Sequence, residues 1–132
     1  IGRIAGAPRA VKPEILHACR MIADSRGDQR VANIARDLGW SRKRLVSAFR
    51  DDIGLSPKLF ARIVRFGHAS ELAMSPNIGG WAEVAAACGY ADQAHMTREF
   101  VEFSGAPPRR WQREIGLRET GTFLQEPDFR AG

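Results

Sequence analysis

From Pro13 onward, apolar residues recur at spacings of three and four, the pattern of helices that bury one face. A proline in the first turn followed by Ile15, Leu16, Cys19, Ile22 and Ala23 predicts an amphipathic helix ending near Arg26 and Gly27. Val31, Ile34, Ala35 and Leu38 predict a second, barely two turns long, stopped at Gly39 because glycine reaches positive φ without strain. Ser41 is a candidate cap for a third, which carries Leu45, Phe49 and Ile53 inward. Ser56 and Pro57 open a fourth that runs through Leu59, Phe60, Ile63, Val64, Phe66 and Gly67 to about Ala73, a length of about 25 Å. Ser75, Pro76, Asn77, Gly79 and Gly80 then break the pattern. Three shorter helices follow, over roughly 81–88, 93–103 and 108–115. No strand-like alternation is sustained, so the fold class is all-α. Residues 1–12 set Gly2, Gly6 and Pro8 among small neighbours and predict a linker, and 117–132, with isolated Phe123, Leu124 and Phe129, predict a loosely packed tail.

The helical stretch contains an internal repeat. Ala32 to Trp40 lies over Ala82 to Tyr90, aligning Gly39 with Gly89 and Trp40 with Tyr90. Beyond one inserted residue, Leu45 meets Met96, Phe49 meets Phe100, Gly54 meets Gly105, Pro57 meets Pro108 and Phe60 meets Trp111. Each unit reads as a short helix, a glycine turn backed by an aromatic, and a second helix, which is the layout of a helix-turn-helix. Small side chains at Ala35 and Ala85 let the paired helices approach closely. The predicted organisation is a first helix-turn-helix subdomain with its connecting helix over 13–73 and a second over 74–116.

The second helix of each unit is the candidate for function. With Leu45 and Phe49 inward, Arg42, Lys43, Val46 and Arg50 point elsewhere, and Arg44 and Ser47 lie near the boundary. Residues 41–50 carry four positive charges and no negative one. Guanidinium groups can position a phosphate backbone or take the two acceptors of a guanine in the major groove. In the second unit Asp92 is a candidate cap, leaving Gln93, Ala94, His95, Arg98 and Glu99 facing outward while Met96, Phe100 and Phe103 pack inward. Gln93 suits adenine, Ala94 a thymine methyl, and Arg98 a phosphate or guanine. His95 fits a base edge or plain surface, and Arg109, Arg110 and Arg113 fit flanking phosphates or a solubilising face. The long fourth helix is a candidate strut holding two such helices in successive major-groove segments about 34 Å apart. The expected target is two unlike half-sites, with some bending of the duplex.

Composition narrows the classes. The chain has 132 residues and a formal net charge of +5, enough for one ordinary domain or two very small ones that fold without staples. Cys19 and Cys88, with no CxxC, offer neither a disulfide framework nor a zinc cluster, and His17 and His68 have no partners at metal spacing. No cofactor motif is present. No apolar run spans a membrane and the N-terminus lacks the order of a signal peptide, so the expected location is cytoplasmic. DNA binding by the second helices adds the expectation of association with the nucleoid. Beginning at Ile1 rather than Met suggests a portion of something longer. No nucleophile, base and orienting group share a recognisable spacing, and Cys88 matches Leu38 in the repeat, so no enzyme is expected.

Gly89-Tyr-Ala-Asp-Gln-Ala-His-Met-Thr-Arg-Glu-Phe100, continuing to Phe103, Gly105, Pro108 and Trp111, resembles the second-unit signature of the C-terminal DNA-binding domain of AraC/XylS-type bacterial transcription regulators. Leu38-Gly-Trp-Ser-Arg-Lys-Arg-Leu-Val-Ser-Ala-Phe49 resembles the first, and the likeness covers roughly 13–114. It implies seven helices in a bipartite domain, two helix-turn-helix units joined by a long helix. It also implies sequence-specific binding to double-stranded promoter DNA, often with activation through contact with RNA polymerase. Lys43, Val46 and Ser47 fall at contacting places of the first recognition helix, and Gln93, Ala94, His95 and Arg98 at those of the second. Ser47 departs from the arginine usual there, with Arg42, Lys43 or Arg44 as compensating contacts. Family members usually carry a separate effector or dimerisation domain, which would precede Ile1. The competing expectation is a helical protein-interaction module that touches DNA weakly, motivated by Phe123, Leu124 and Phe129.

Overall fold

The computed structural model describes residues 10–75 and 79–119, the side chains of 117–119 excepted. Among these residues there are seven helices and no strand: α1 (Pro13–Asp24), α2 (Val31–Leu38), α3 (Arg42–Ile53), α4 (Pro57–Ala73), α5 (Trp81–Ala87), α6 (Gln93–Ser104) and α7 (Pro108–Glu119). They form two compact units divided between Arg65 and Phe66, inside α4, which joins them as one continuous 17-residue helix.

The first unit closes around Ile15, Ala18 and Ile22 of α1, Ile34 and Ala35 of α2, Leu45 and Phe49 of α3, and Ala61 of α4. Each fully buried large side chain here contributes roughly 1.5–3 kcal/mol relative to exposure. Two expectations for α1 fail. Leu16 is 45% exposed and Ala23 is exposed, whereas Ala18 is completely buried. Residues 15, 18 and 22 share one stripe, and positions 16 and 23 lie about 100° round the helix from it. The unit also begins ahead of α1. Val11 packs against the core, and the Lys12 backbone N–H donates to Asp52 Oδ2 at 3.0 Å while its ammonium pairs with Oδ1 at 3.3 Å. That carboxylate, at the end of α3, is fully buried.

After α1 the chain turns through Arg26 (φ 56°) and Gly27 (φ 85°). Gly27 is buried against α4: its carbonyl accepts from Arg65 Nη2 at 2.9 Å, and a Cβ would collide with the carbonyl oxygen of Ala61.

The second unit packs Ala69 of α4, Val84, Ala85 and Cys88 of α5 and its turn, Tyr90, and Met96 and Phe100 of α6. Phe66, Leu72, Trp81 and Trp111 flank this core, with Phe66 edge-on to Phe100 at 4.8 Å. Gln112 of α7 donates to the Ala73 carbonyl at 2.7 Å, satisfying an acceptor at the end of α4.

The repeat holds in three dimensions within each unit. Leu45 and Met96 are both fully buried, as are Phe49 and Phe100. Phe49 meets Phe60 at 5.5 Å, and Phe100 meets Trp111 at the same centroid distance. Gly39 and Gly89 turn at φ 74° and 81°. The following N–H of Trp40 reaches back to the Ala35 carbonyl at 2.9 Å, and that of Tyr90 to Ala85 at 3.0 Å, so both turns close with the same hydrogen bond.

The last helix runs to Glu119, four residues beyond the expected stop at Ile115, because Gly116 is accommodated inside it. Residues 1–9 of the expected linker, Pro76 and Asn77 of the expected break, and the tail from 120 on, with Phe123, Leu124 and Phe129, lie outside the described residues.

Candidate nucleic-acid interface

Both second helices start on a side-chain cap. Ser41 Oγ accepts the Arg44 backbone N–H at 3.0 Å, and Asp92 Oδ1 accepts that of His95 at 2.8 Å. These caps set where each helix begins and therefore where its outer face starts.

On α3 that face is one stripe. Arg42, Lys43, Val46, Ser47, Arg50 and Asp51 together line a shallow, open depression of about 600 Å³. Their spacing of one, four, five, eight and nine residues from Arg42 follows the helical repeat. Arg42, Lys43 and Arg50 make no ion pair among the described residues, so their charge is available to an anion. Asp51 is the acid that sequence inspection passed over. It lies at the far end of the stripe, and the apolar periodicity that places Phe49 inward also places it outward. Arg44 is exposed but stands off from this stripe. Its guanidinium lies over the Trp40 ring, 4.1 Å from the centroid.

On α6, Gln93, Ala94 and Arg98 are exposed together. His95 is half-buried and turned back onto its own unit. Its ring stands edge-on to Tyr90 at 5.1 Å, Nδ1 accepts the Ala91 N–H at 3.4 Å, and Nε2 lies 3.8 Å from Glu99 Oε2. Glu99 is a correction: expected outward, it is 2% exposed. The buried stripe of α6 runs through Met96, Glu99 and Phe100, so the Glu99 carboxylate is set inward beside the His95 ring. The sequence signal available for this was position: Glu99 falls three residues from Met96 and adjoins Phe100, on the inward side.

At the start of α7, Arg109, Arg110 and Arg113 are exposed. Arg110 Nε pairs with Glu114 at 3.4 Å along the helix, while Arg109 and Arg113 make no such pair among the described side chains. Burial pushes the Cys19 thiol up from its ordinary range, against the opposing Arg20 charge. No helix among the described residues is long and apolar enough to cross a membrane.

Two consecutive units of short helix, glycine turn and side-chain-capped second helix, joined by a long helix, define a bipartite helix-turn-helix domain. Residues 34–114 match the model of a family described as helix-turn-helix domain, and the chain belongs to that family. Over 86 residues it is 30% identical to the Msm operon regulatory protein of Streptococcus mutans, a match that takes in 65% of this chain. The chain spans 31% of the length of that curated relative. Among solved structures it is similar to the C-terminal domain of AraT, a response regulator from Geobacillus stearothermophilus, at a TM-score of 0.72 and 23% identity over 80% of this chain and 88% of that one. It is also similar to a transcriptional regulator with an AraC-type DNA-binding domain from Chromobacterium violaceum, at a TM-score of 0.70 and 19% identity over 77% and 91% of the two chains. The fold is thus one that the chain shares with these regulator domains.

Proposed function

We propose that this domain binds double-stranded promoter DNA in a sequence-specific manner, as the DNA-binding part of a bacterial transcription regulator. The observation that carries the proposal is the outer stripe of α3, where Arg42, Lys43 and Arg50 line an open depression and make no ion pair among the described residues. In this assignment α3 supplies attraction to phosphates, with Lys43, Val46 and Ser47 nearest the groove. Gln93, Ala94 and Arg98 of α6 supply most of the base discrimination. His95 contributes by holding the first turn of α6, and Arg109 and Arg110 by contacting flanking phosphates. The target has two unlike half-sites, one for each unit. Activation through contact with RNA polymerase, a cytoplasmic location at the nucleoid, and a separate effector or dimerisation domain complete the proposal for the whole protein.

The test is a titration of the chain against pooled promoter fragments at two salt concentrations. With about six neutralised phosphates, the logarithm of the association constant falls with a slope of about −5 on the logarithm of salt. Recovered fragments should share two sequence elements. Binding indifferent to both salt and sequence overturns the proposal.

A further inference from the structure

The stacked pair Trp40 and Arg44 is the feature of α3 that its outer stripe leaves unexplained. We propose that Trp40 is a positioning residue for DNA binding, holding the Arg44 guanidinium in a fixed plane to receive a backbone phosphate rather than to read a base. This rests on the DNA-binding role proposed above.

The argument runs from the core outward. Gly39 turns in the left-handed region, and the Trp40 N–H is tied to the Ala35 carbonyl at 2.9 Å. The Trp40 ring packs against the core of the first unit. The backbone of Arg44 is fixed by its N–H bond to Ser41 Oγ, and its guanidinium lies 4.1 Å from the Trp40 centroid. Both ends of the arginine are therefore held: the main chain by the cap, the charged head by the ring. A guanidinium stacked on an aromatic face keeps its N–H donors in the plane of the group, where they match the paired oxygens of a phosphate. Stacking also removes rotamer freedom before DNA arrives, so less is lost on contact. Arg44 does not line the depression with Arg42, Lys43, Val46, Ser47 and Arg50, which sets it apart from Lys43, Val46 and Ser47, the residues placed nearest the groove. The repeat provides an internal contrast. At the equivalent place in the second unit an imidazole replaces the guanidinium, and His95 stands edge-on to Tyr90 rather than over its face. The clamp is thus a property of the first unit.

The experiment measures association with the selected duplex across a salt series, using the full chain. Arg44→Ala should reduce the magnitude of the salt slope by about 0.9, the value for one lost phosphate contact, and leave the selected sequence unchanged. Trp40→Leu should produce the same reduction, with no further loss in the double variant, and Trp40→Phe, which keeps an aromatic face, should restore most of it. A purely structural Trp40 would lower the melting temperature and leave the slope of the folded fraction at its wild-type value, which overturns the proposal. A changed base preference in Arg44→Ala also overturns it. Should Trp40→Leu fail to fold, Arg44→Lys carries the test. It keeps the charge but not the planar stack, and should bind several-fold more weakly with the same sequence preference; affinity equal to wild type counts against the clamp. A wild-type chain without salt-dependent binding sinks both this inference and the DNA-binding role. A salt-dependent wild type with an insensitive Arg44→Ala sinks the inference alone.

Discussion

Gly27 and Gly39 both adopt left-handed φ, yet their surroundings differ in kind. Around Gly39 an added Cβ meets open space, whereas at Gly27 it runs into the Ala61 carbonyl. Gly39→Ala should therefore cost only the backbone term, roughly 1–2 kcal/mol. Gly27→Ala adds displacement of α4 and should cost on the order of 3 kcal/mol. Urea unfolding of the two variants checks the order, and equal losses would mean that the turn after α1 relaxes away from α4. Sequence inspection marked both glycines as helix stops, because a stop is a local property. The close approach at Gly27 joins residues far apart in the chain and leaves no local trace. The same holds for Asp52, whose carboxylate reaches Lys12. Arg44 differs, because its partner Trp40 is near in sequence and the stacking depends on how the turn is set.

At the scale of elements, the caps do for α3 and α6 what periodicity alone does not. Period fixes which residues share a face, while Ser41 and Asp92 fix where that face begins. Ser41→Ala and Asp92→Ala should each destabilise the chain by about 1 kcal/mol and fray the first turn that carries Arg42 and Lys43, or Gln93 and Ala94. Amide hydrogen exchange at residues 43–45 and 94–96 reads this out directly, and unchanged protection would assign those turns another support. Seven helices and most of their starts were legible from prolines, glycines and apolar spacing. The misses follow from one cause. Leu16 and Ala23 were read as inward by size and apolarity, and Glu99 as outward by charge, but the side of a helix that is buried is set by the neighbour it meets. Where α1 lies close to its partners, a small Ala18 fits and Leu16 is left exposed.

For the molecule as a whole, each unit closes its own hydrophobic core, so substitutions on one outer face should leave the other unit folded. Arg98→Ala should weaken binding about tenfold, at the lower end of a lost guanidinium contact, and blur base preference in a single half-site. Selection from random duplexes with the variant and the parent checks this; loss of preference in both half-sites would show that the units do not read independently. Helical class, the duplicated helix-turn-helix pattern and the excess of positive charge on α3 could all be known before folding, because they depend on residue types at short, regular spacings. Which cations stay available, which imidazole turns inward and which carboxylate is buried depend on contacts that form only when the helices close and pack, between near neighbours such as His95 and Tyr90 as well as between distant residues such as Lys12 and Asp52. Folding alone brings those residues within a few ångströms, and only at such distances do stacking, ion pairing and desolvation take effect.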